Sequence, residues 1–436
     1  MSELHELCRL QQRPIDQHYI KSLQYFLKEG IPSTYTLEEA ENFENGKDEE
    51  LKSTTTPLHI ICSNLPNDLN KDEETVVSEM IDELFSYGAG WNLIDSNGDT
   101  PGDILFKQNK QNSIFYEKFV DAGVRAEILL RKINDDIEFI SDEEFEVPEA
   151  VEEEQQPEEE QEQQQEQKEQ INHAPEVQQQ EISQEEFNRI KNELESDPAN
   201  TQKTYLETKL EYKNGALITK DNLDGVMMDW EYELMKAGCE TIFKSTIPND
   251  DNKEDINEIN ILNIGFGMGI IDTMIQEKNP THHYISEAHP DVLDKLKKDG
   301  WYEKSNVTVL EGRWQETLPN LLNEGVFFNG IYYDTYSEHY EDMLELYDII
   351  VGLLKPTGIF SFFNGLGADR QIIYDVYKKI VELDLNNYGM DVKYTELKTP
   401  NTTAEDMDNT DESEWIGIKR AYWRCKTYYH PEIKFI

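Results

Sequence analysis

The chain has 436 residues, 90 acidic against 40 basic, for a formal net charge of −50. A polyanion of that size repels phosphate backbones and anionic lipid faces, which disfavours nucleic acid and membranes as direct partners and favours a basic protein, unless the charge sits mostly in a solvated tail. Four cysteines (Cys8, Cys62, Cys239 and Cys425) stand singly with no CxxC pair, so neither a zinc knuckle nor a disulfide framework is indicated and no metal site is expected.

The opening residues Met1-Ser2-Glu3-Leu4-His5 carry no basic stretch ahead of an apolar run, and no segment is long and apolar enough to span a bilayer. The expectation is a soluble intracellular protein, cytoplasmic and nuclear, monomeric or weakly oligomeric. Length implies two folded units or one unit with a long unstructured segment.

The first module, residues 1–134, reads as helical. In Thr56-Pro57-Leu58-His59-Ile60-Ile61-Cys62 the threonine can cap a helix whose first position suits proline. A second Thr-Pro pair stands at Thr100-Pro101, after Leu84-Phe85-Ser86-Tyr87-Gly88-Ala89-Gly90 and the turn Asp95-Ser96-Asn97-Gly98. This looks like ankyrin-repeat sequence, although the Thr-Pro pairs lie farther apart than a repeat of about 33 residues allows. The polar stretch from Ser63 to Thr75 reads as a loop insertion that absorbs the excess. Such repeats need neighbours to bury a core, and the helical pattern from Ile20 to Leu27 would supply one. The module is either a protein-docking surface or a stabilising appendage.

Residues 135–185 are almost entirely Glu, Gln and Asp, as in Val151-Glu152-Glu153-Glu154-Gln155-Gln156. Too few apolar side chains are present to offset the entropy of ordering, so this segment reads as a disordered or loosely helical linker.

The second module, residues 186–436, alternates short apolar runs with helical patterns. The runs are Ile261–Ile264, His283–Ser286, Val307–Leu310, Gly330–Tyr333 and Gly358–Phe363, and Tyr340–Ile350 is a clear helical pattern. That alternation predicts a parallel, doubly wound α/β sheet. Val392–Leu397 and Tyr422–Tyr429 follow without a long helix between them and read as a closing antiparallel pair.

Ligands of such sheets bind beyond the carboxyl ends of the strands. After the first strand comes Gly265-Phe266-Gly267-Met268-Gly269, whose glycines permit a tight turn and close approach of a ligand at a helix N-terminus. A dinucleotide fingerprint would place glycine at position 270, where the chain has Ile270, so an NAD-dependent oxidoreductase is disfavoured and S-adenosylmethionine (SAM) fits better. After the second strand, Glu287-Ala288-His289 offers a carboxylate for ribose hydroxyls; Glu287 can equally be a solvated carboxylate and His289 a turn cap. After the third, Trp314-Gln315 offers an aromatic face and an amide for adenine, or a core tryptophan. After the fourth, Asp334 lies near the reaction centre of this architecture, or caps a helix. Upstream, Met227, Glu231 and Met235 share one face at helical spacing, which sets a carboxylate between two thioethers as the anchor for a cation.

In order, Val226-Met227-Met228-Asp229-Trp230-Glu231, Leu262–Gly269, Glu287-Ala288-His289, Gly312-Arg313-Trp314-Gln315 and Tyr333-Asp334-Thr335-Tyr336 resemble guanidinoacetate methyltransferase and its fungal relatives, the type IV protein-arginine N-delta methyltransferases. The fungal enzymes are similar to this chain in carrying an ankyrin-like N-terminal module. The resemblance implies a Rossmann-like class I methyltransferase fold, SAM as cofactor and a protein substrate with an exposed arginine, a ribosomal protein among the possibilities. It also implies Tyr205 and Met235 bordering the cofactor, Gly265 to Ile271 forming its loop, Glu287, Ala288 and His289 on the ribose, and Trp314 and Gln315 on the adenine. Asp334 would stand beside the sulfonium. The long acidic linker and the insertion at Pro248-Asn249-Asp250-Asp251 depart from the family pattern.

Arginine resists alkylation because its guanidinium, with a pKa above about 12, lacks a basic lone pair. Glu231 and Asp334 as catalytic carboxylates would clasp the fork, turn one nitrogen toward the methyl carbon and accept a proton. Methylation of the delta nitrogen follows from the resemblance. The alternatives are a small-molecule guanidino methyltransferase, which needs no docking module, and a non-catalytic ankyrin-type scaffold.

Overall fold

A computed structural model describes residues 3–46, 54–136, 189, 191, 196–247, 258–400 and 414–436. Met1–Ile128 and Ser196–Ile436 make one unit and Leu129–Glu195 a second, of which little beyond a helix end is described. From residue 137 the expected acidic linker lies outside the described residues, as does the insertion at Pro248–Asp251.

The N-terminal part is helical: α1 Glu3–Cys8, α2 Gln17–Lys28, α3 Leu37–Asn45, α4 Pro57–Ser63, α5 Lys71–Ser86, α6 Pro101–Lys107 and α7 Ile114–Asp136. Thr56 and Thr100 cap α4 and α6, with proline first in each helix. At the second cap the Thr100 hydroxyl accepts the Asp103 N–H at 3.1 Å while the Asp103 carboxylate accepts the Thr100 N–H at 3.0 Å, so two orphan donors of the helix start are satisfied. At the first, His59 takes the reciprocal role: Nδ1 accepts the Thr56 N–H at 3.1 Å, and Nε2 reaches the carbonyls of Leu93 and Asp99. Helix α1 packs on α4, α4 on α6, and α2 on α5. The Ser63–Thr75 stretch is not one loop insertion. Asn70 caps α5 and accepts the Asp72 and Glu73 N–H groups, so the polar residues from Lys71 onward form the solvent-rich first turn of a helix.

The C-terminal part opens with α8 Gln202–Glu207 and an antiparallel three-stranded sheet, β1 Leu210–Lys213, β2 Ala216–Thr219 and β3 Gly225–Met228. A 3-10 turn, Asp229–Glu231, leads into α9 Tyr232–Ile242. The main elements follow as β4 Asn260–Ile264, α10 Ile270–Glu277, β5 His282–Glu287, α11 Pro290–Lys298, β6 Val307–Glu311, α12 Trp314–Glu324, β7 Phe328–Tyr333, α13 Tyr340–Leu353, β8 Leu354–Phe362, α14 Gln371–Asn387, β9 Met390–Lys398 and β10 Thr427–Phe435.

The seven strands are ordered β6-β5-β4-β7-β8-β10-β9. Five run parallel, and β10 inserts antiparallel between β8 and β9. This is the expected doubly wound sheet with an antiparallel closing strand. The chain leaves β4 toward β5 and β6, then returns to β4's other edge as β7, so the crevice for a ligand opens at the carboxyl end of β4. Every residue of β4 and β7 is buried, as a central strand covered on both faces requires.

Two expectations are corrected. The second closing strand is Thr427–Phe435, not Tyr422–Tyr429: Trp423 and Cys425 turn into a buried aromatic cluster with Trp230, Trp415 and Tyr428, so Tyr422–Cys425 alternates like a strand without belonging to the sheet. Met227 does not share a helical face with Glu231 and Met235, because it lies on β3 while Glu231 ends the 3-10 turn and Met235 lies on α9.

Candidate active site

The glycine loop joins β4 to α10 at the switch point. Gly265 N–H donates to the Ser286 carbonyl and Asp334 N–H to the Ile264 carbonyl, both at 2.8 Å, which binds the ends of β4, β5 and β7 together. Gly265 has φ +91°, and a Cβ there would lie 1.8 Å from the Asp334 carbonyl oxygen, so glycine is required by backbone conformation and by space. Gly269, at φ +73°, precedes α10, and the Phe266 ring folds over it.

Glu287 ends β5 and is nearly buried. One carboxylate oxygen accepts the Phe266 N–H at 2.9 Å, and the other accepts the N–H groups of Ala288 and His289 at 2.8 and 2.7 Å. Burial raises its pKa, and these backbone donors oppose the rise. The carboxylate therefore holds the glycine loop and the β5–α11 turn in register while facing the cavity.

His289 is a cap and a strut. Nδ1 accepts the Asp291 N–H at the start of α11, and Nε2 lies 3.1 Å from the carbonyls of both Tyr205 and Thr208. Both ring nitrogens are engaged by protein, so the turn-cap reading of His289 holds while the residue also borders the cavity; it supports Tyr205, whose ring lies 4.8 Å from the imidazole and 4.9 Å from Tyr336.

Trp314 begins α12, and its indole N–H donates to Glu338 at 2.9 Å. Glu338 also accepts from Gln202 at 3.2 Å, from Thr335 at 2.6 Å and from the Tyr333 hydroxyl. It thereby joins the third-strand loop, the β7 loop and α8. Gln315, next to Trp314, has both amide atoms buried without a hydrogen-bond partner in the protein.

These groups surround a cavity of about 650 Å³ lined by Tyr205, Gly265, Phe266, Gly267, Glu287, Ala288, His289, Trp314 and Asp334, with Gln202, Tyr336 and Glu338. Met268, Gly269, Ile270, Ile271, Met235 and Gln315 are not among its lining residues. Ile270 and Ile271 already belong to α10, and Ile271 and Met235 pack with Phe266 in the apolar cluster supporting the loop.

A second cavity, about 1180 Å³, shares the Asp334–Tyr336 wall and adds Glu231, Phe363, Gly365, Leu366, Arg420 and Tyr422. Glu231 is 2% exposed, and its Oε1 accepts the Met228 N–H at 2.9 Å and the Tyr422 hydroxyl. Burial and then the negative Asp334 push its pKa well up. Burial, and secondarily Asp272, raise the Asp334 carboxyl to about 7. Two carboxyls that resist ionisation beside one cavity are an arrangement that a bound cation relieves.

Sequence reasoning missed Gln202, Glu338, Arg420 and Tyr422. Glu338 stands four residues past Asp334, and its acidity at a strand-end loop was a usable signal. Tyr422 lay hidden in an aromatic run that reads as a strand.

A sheet of this order, with a glycine loop at the switch point and a carboxylate ending the next strand, defines a class I methyltransferase fold. Residues 254–420 match the family model of guanidinoacetate N-methyltransferase. The chain is 56% identical to protein arginine N-methyltransferase 2 of Debaryomyces hansenii, and 48% identical to the protein of that name from Saccharomyces cerevisiae, each match covering 100% of both chains. Among solved structures it is similar to the O-methyltransferase TomG of Streptomyces achromogenes in complex with SAM, at 13% identity and TM-score 0.31, over 48% of this chain and 81% of that one. The chain belongs to the protein arginine N-methyltransferase 2 family and is a methyltransferase.

Proposed function

We propose that the protein is a SAM-dependent protein-arginine methyltransferase that modifies the delta nitrogen of an arginine in a basic protein, a ribosomal protein being one candidate. The observation that carries this reading is the wall of Asp334 shared by two cavities: the glycine loop borders one, and the buried Glu231 borders the other. The relatives' names point to arginine as acceptor.

SAM fits the residues present. Glu287 presents a carboxylate to the cavity, the backbone of Gly265 to Gly267 borders the same space, and Gln315, set back from the lining next to Trp314, holds a buried donor and acceptor without a partner. When bound, the cofactor supplies an electrophilic methyl group. Glu231 and Asp334 orient the acceptor: charge-assisted bonds from the guanidinium fork fix its plane, and Tyr422 with the Met228 N–H fixes Glu231. One carboxylate takes the proton released as nitrogen is alkylated. Selection of the inner nitrogen depends on how deeply the fork sits, and the likeness to N-delta enzymes supports that part.

The proposal includes an ankyrin-like character for the N-terminal helices, cytoplasmic and nuclear residence, and a monomeric or weakly oligomeric state. Titration of the purified protein with SAM and with NAD tests the cofactor assignment. Binding of SAM alone is expected, whereas preference for NAD, or binding of neither, would overturn it. Supplying guanidinoacetate or blocked arginine as acceptor separates a small-molecule enzyme from a protein-arginine one.

A further inference from the structure

The segment from Phe363 to Arg370 leaves β8 and enters α14. Its first part, Phe363, Gly365 and Leu366, lines the second cavity. Its last residue, Arg370, is gripped by the N-terminal helices: Nη1 donates to the Asp103 carboxylate at 2.6 Å and to the Gly98 carbonyl at 2.9 Å. Asp103 is nearly buried, and the same Oδ2 accepts the Thr100 N–H and hydroxyl. The anchor is thus the capping box of α6 rather than a free surface carboxylate.

The fit behind this contact is close. A Cβ on Gly102 would lie 2.7 Å from Ile372, and one on Gly123 would lie 2.5 Å from Val376. Tyr116 donates to Asp375 at 2.6 Å, and Lys379 to Asp121 at 2.8 Å. Those two bonds tie the modules along the body of α14, away from the cavity. Arg370 alone among these contacts sits on the loop that forms the cavity wall.

We propose that the N-terminal helical module is a working part of the acceptor site, with Asp103 and Arg370 as positioning residues that hold the Phe363–Leu366 wall. A partner that displaced α6 would loosen the wall and weaken acceptor binding without touching the glycine loop. The naming of this cavity as the acceptor site rests on the function proposed above.

The test compares full-length R370Q, D103N and R370K with Y116F, which breaks a tie of the same modules outside the loop. Hydrogen exchange of amides 363–369 is expected to quicken about tenfold or more in R370Q and D103N, less in R370K, and to stay unchanged in Y116F. KM for blocked arginine (Nα-acetyl-arginine N-methylamide) should rise in the same order while SAM affinity holds. Unchanged loop exchange in R370Q, or equal quickening in all four variants, would overturn the proposal. Failure of the wild type to bind blocked arginine would count against the arginine reading instead, with loop exchange still deciding the coupling.

Discussion

Glu231→Gln separates catalysis from stability, because the two should move in opposite directions. Gln keeps an oxygen to accept from Met228 and Tyr422, so the local bonds survive. What disappears is one of the two carboxyl groups proposed to pair with the guanidinium. A hydrogen bond to a charged group is worth about 1.5–3 kcal/mol, and an ion stripped of a buried counter-charge loses about 3–5 kcal/mol. With Asp334 remaining, a loss of about 2–4 kcal/mol is expected, roughly thirty- to a thousand-fold in kcat/KM for the acceptor.

Stability should shift the other way. A carboxyl whose folded-state pKa is raised contributes most stability below its unfolded value of 4.5 and loses that contribution as pH rises toward the folded value. At pH 8 the unfolded chain has this carboxyl ionised while burial in the fold works against that ionisation, a cost the uncharged variant does not carry, so the variant should unfold about 1–3 kcal/mol harder, raising the midpoint by a few degrees. Labelled methyl transfer, SAM titration and thermal unfolding at pH 8 and pH 5 provide the readouts, and the stability gain should shrink at pH 5. Turnover within about fivefold of wild type, or a variant less stable at pH 8, would refute the reasoning.

Gly265→Ala should reduce SAM affinity at least about tenfold, since the backbone at φ +91° must shift and the Asp334 carbonyl must retreat; a calorimetric titration matching wild type would contradict this. Because Asp334 must shed its proton to pair with a cation, binding of blocked arginine to the cofactor-free protein should weaken as pH falls below about 7, and calorimetry showing a flat profile from about pH 6 to 8 would contradict it. His289→Ala should cost about 1–2 kcal/mol through loss of the α11 cap and free Tyr205, while His289→Asn, which can still cap, should recover stability but not SAM affinity. Thermal unfolding alongside titration checks both variants.

The strand-end groups were readable in advance because parallel strands announce themselves as short apolar runs, and their loops must then carry the chemistry. Ile270 was legible as a departure from the dinucleotide pattern because that pattern is local. Glu231 stands out in the sequence as a carboxylate among apolar neighbours and lies buried beside the second cavity, but the helical spacing that drew attention to it does not hold, since the chain passes from β3 through a 3-10 turn between Met227 and Met235. The Tyr422–Glu231 bond joins residues 191 positions apart, and the Arg370–Asp103 contact joins residues 267 apart; no local pattern encodes either. His289 illustrates a third limit. Cap and ligand roles draw on the same two nitrogens, and only the position of the Tyr205 and Thr208 carbonyls decides between them.

Glu231 and Asp334 are proposed to present a protein arginine to a methyl donor. The most direct measurement incubates the full-length protein with methyl-labelled SAM and basic protein substrates, hydrolyses the product to amino acids and identifies the labelled one. Delta-N-methylarginine is predicted. Label in a terminally methylated arginine, or transfer to guanidinoacetate with none to protein, would contradict the account.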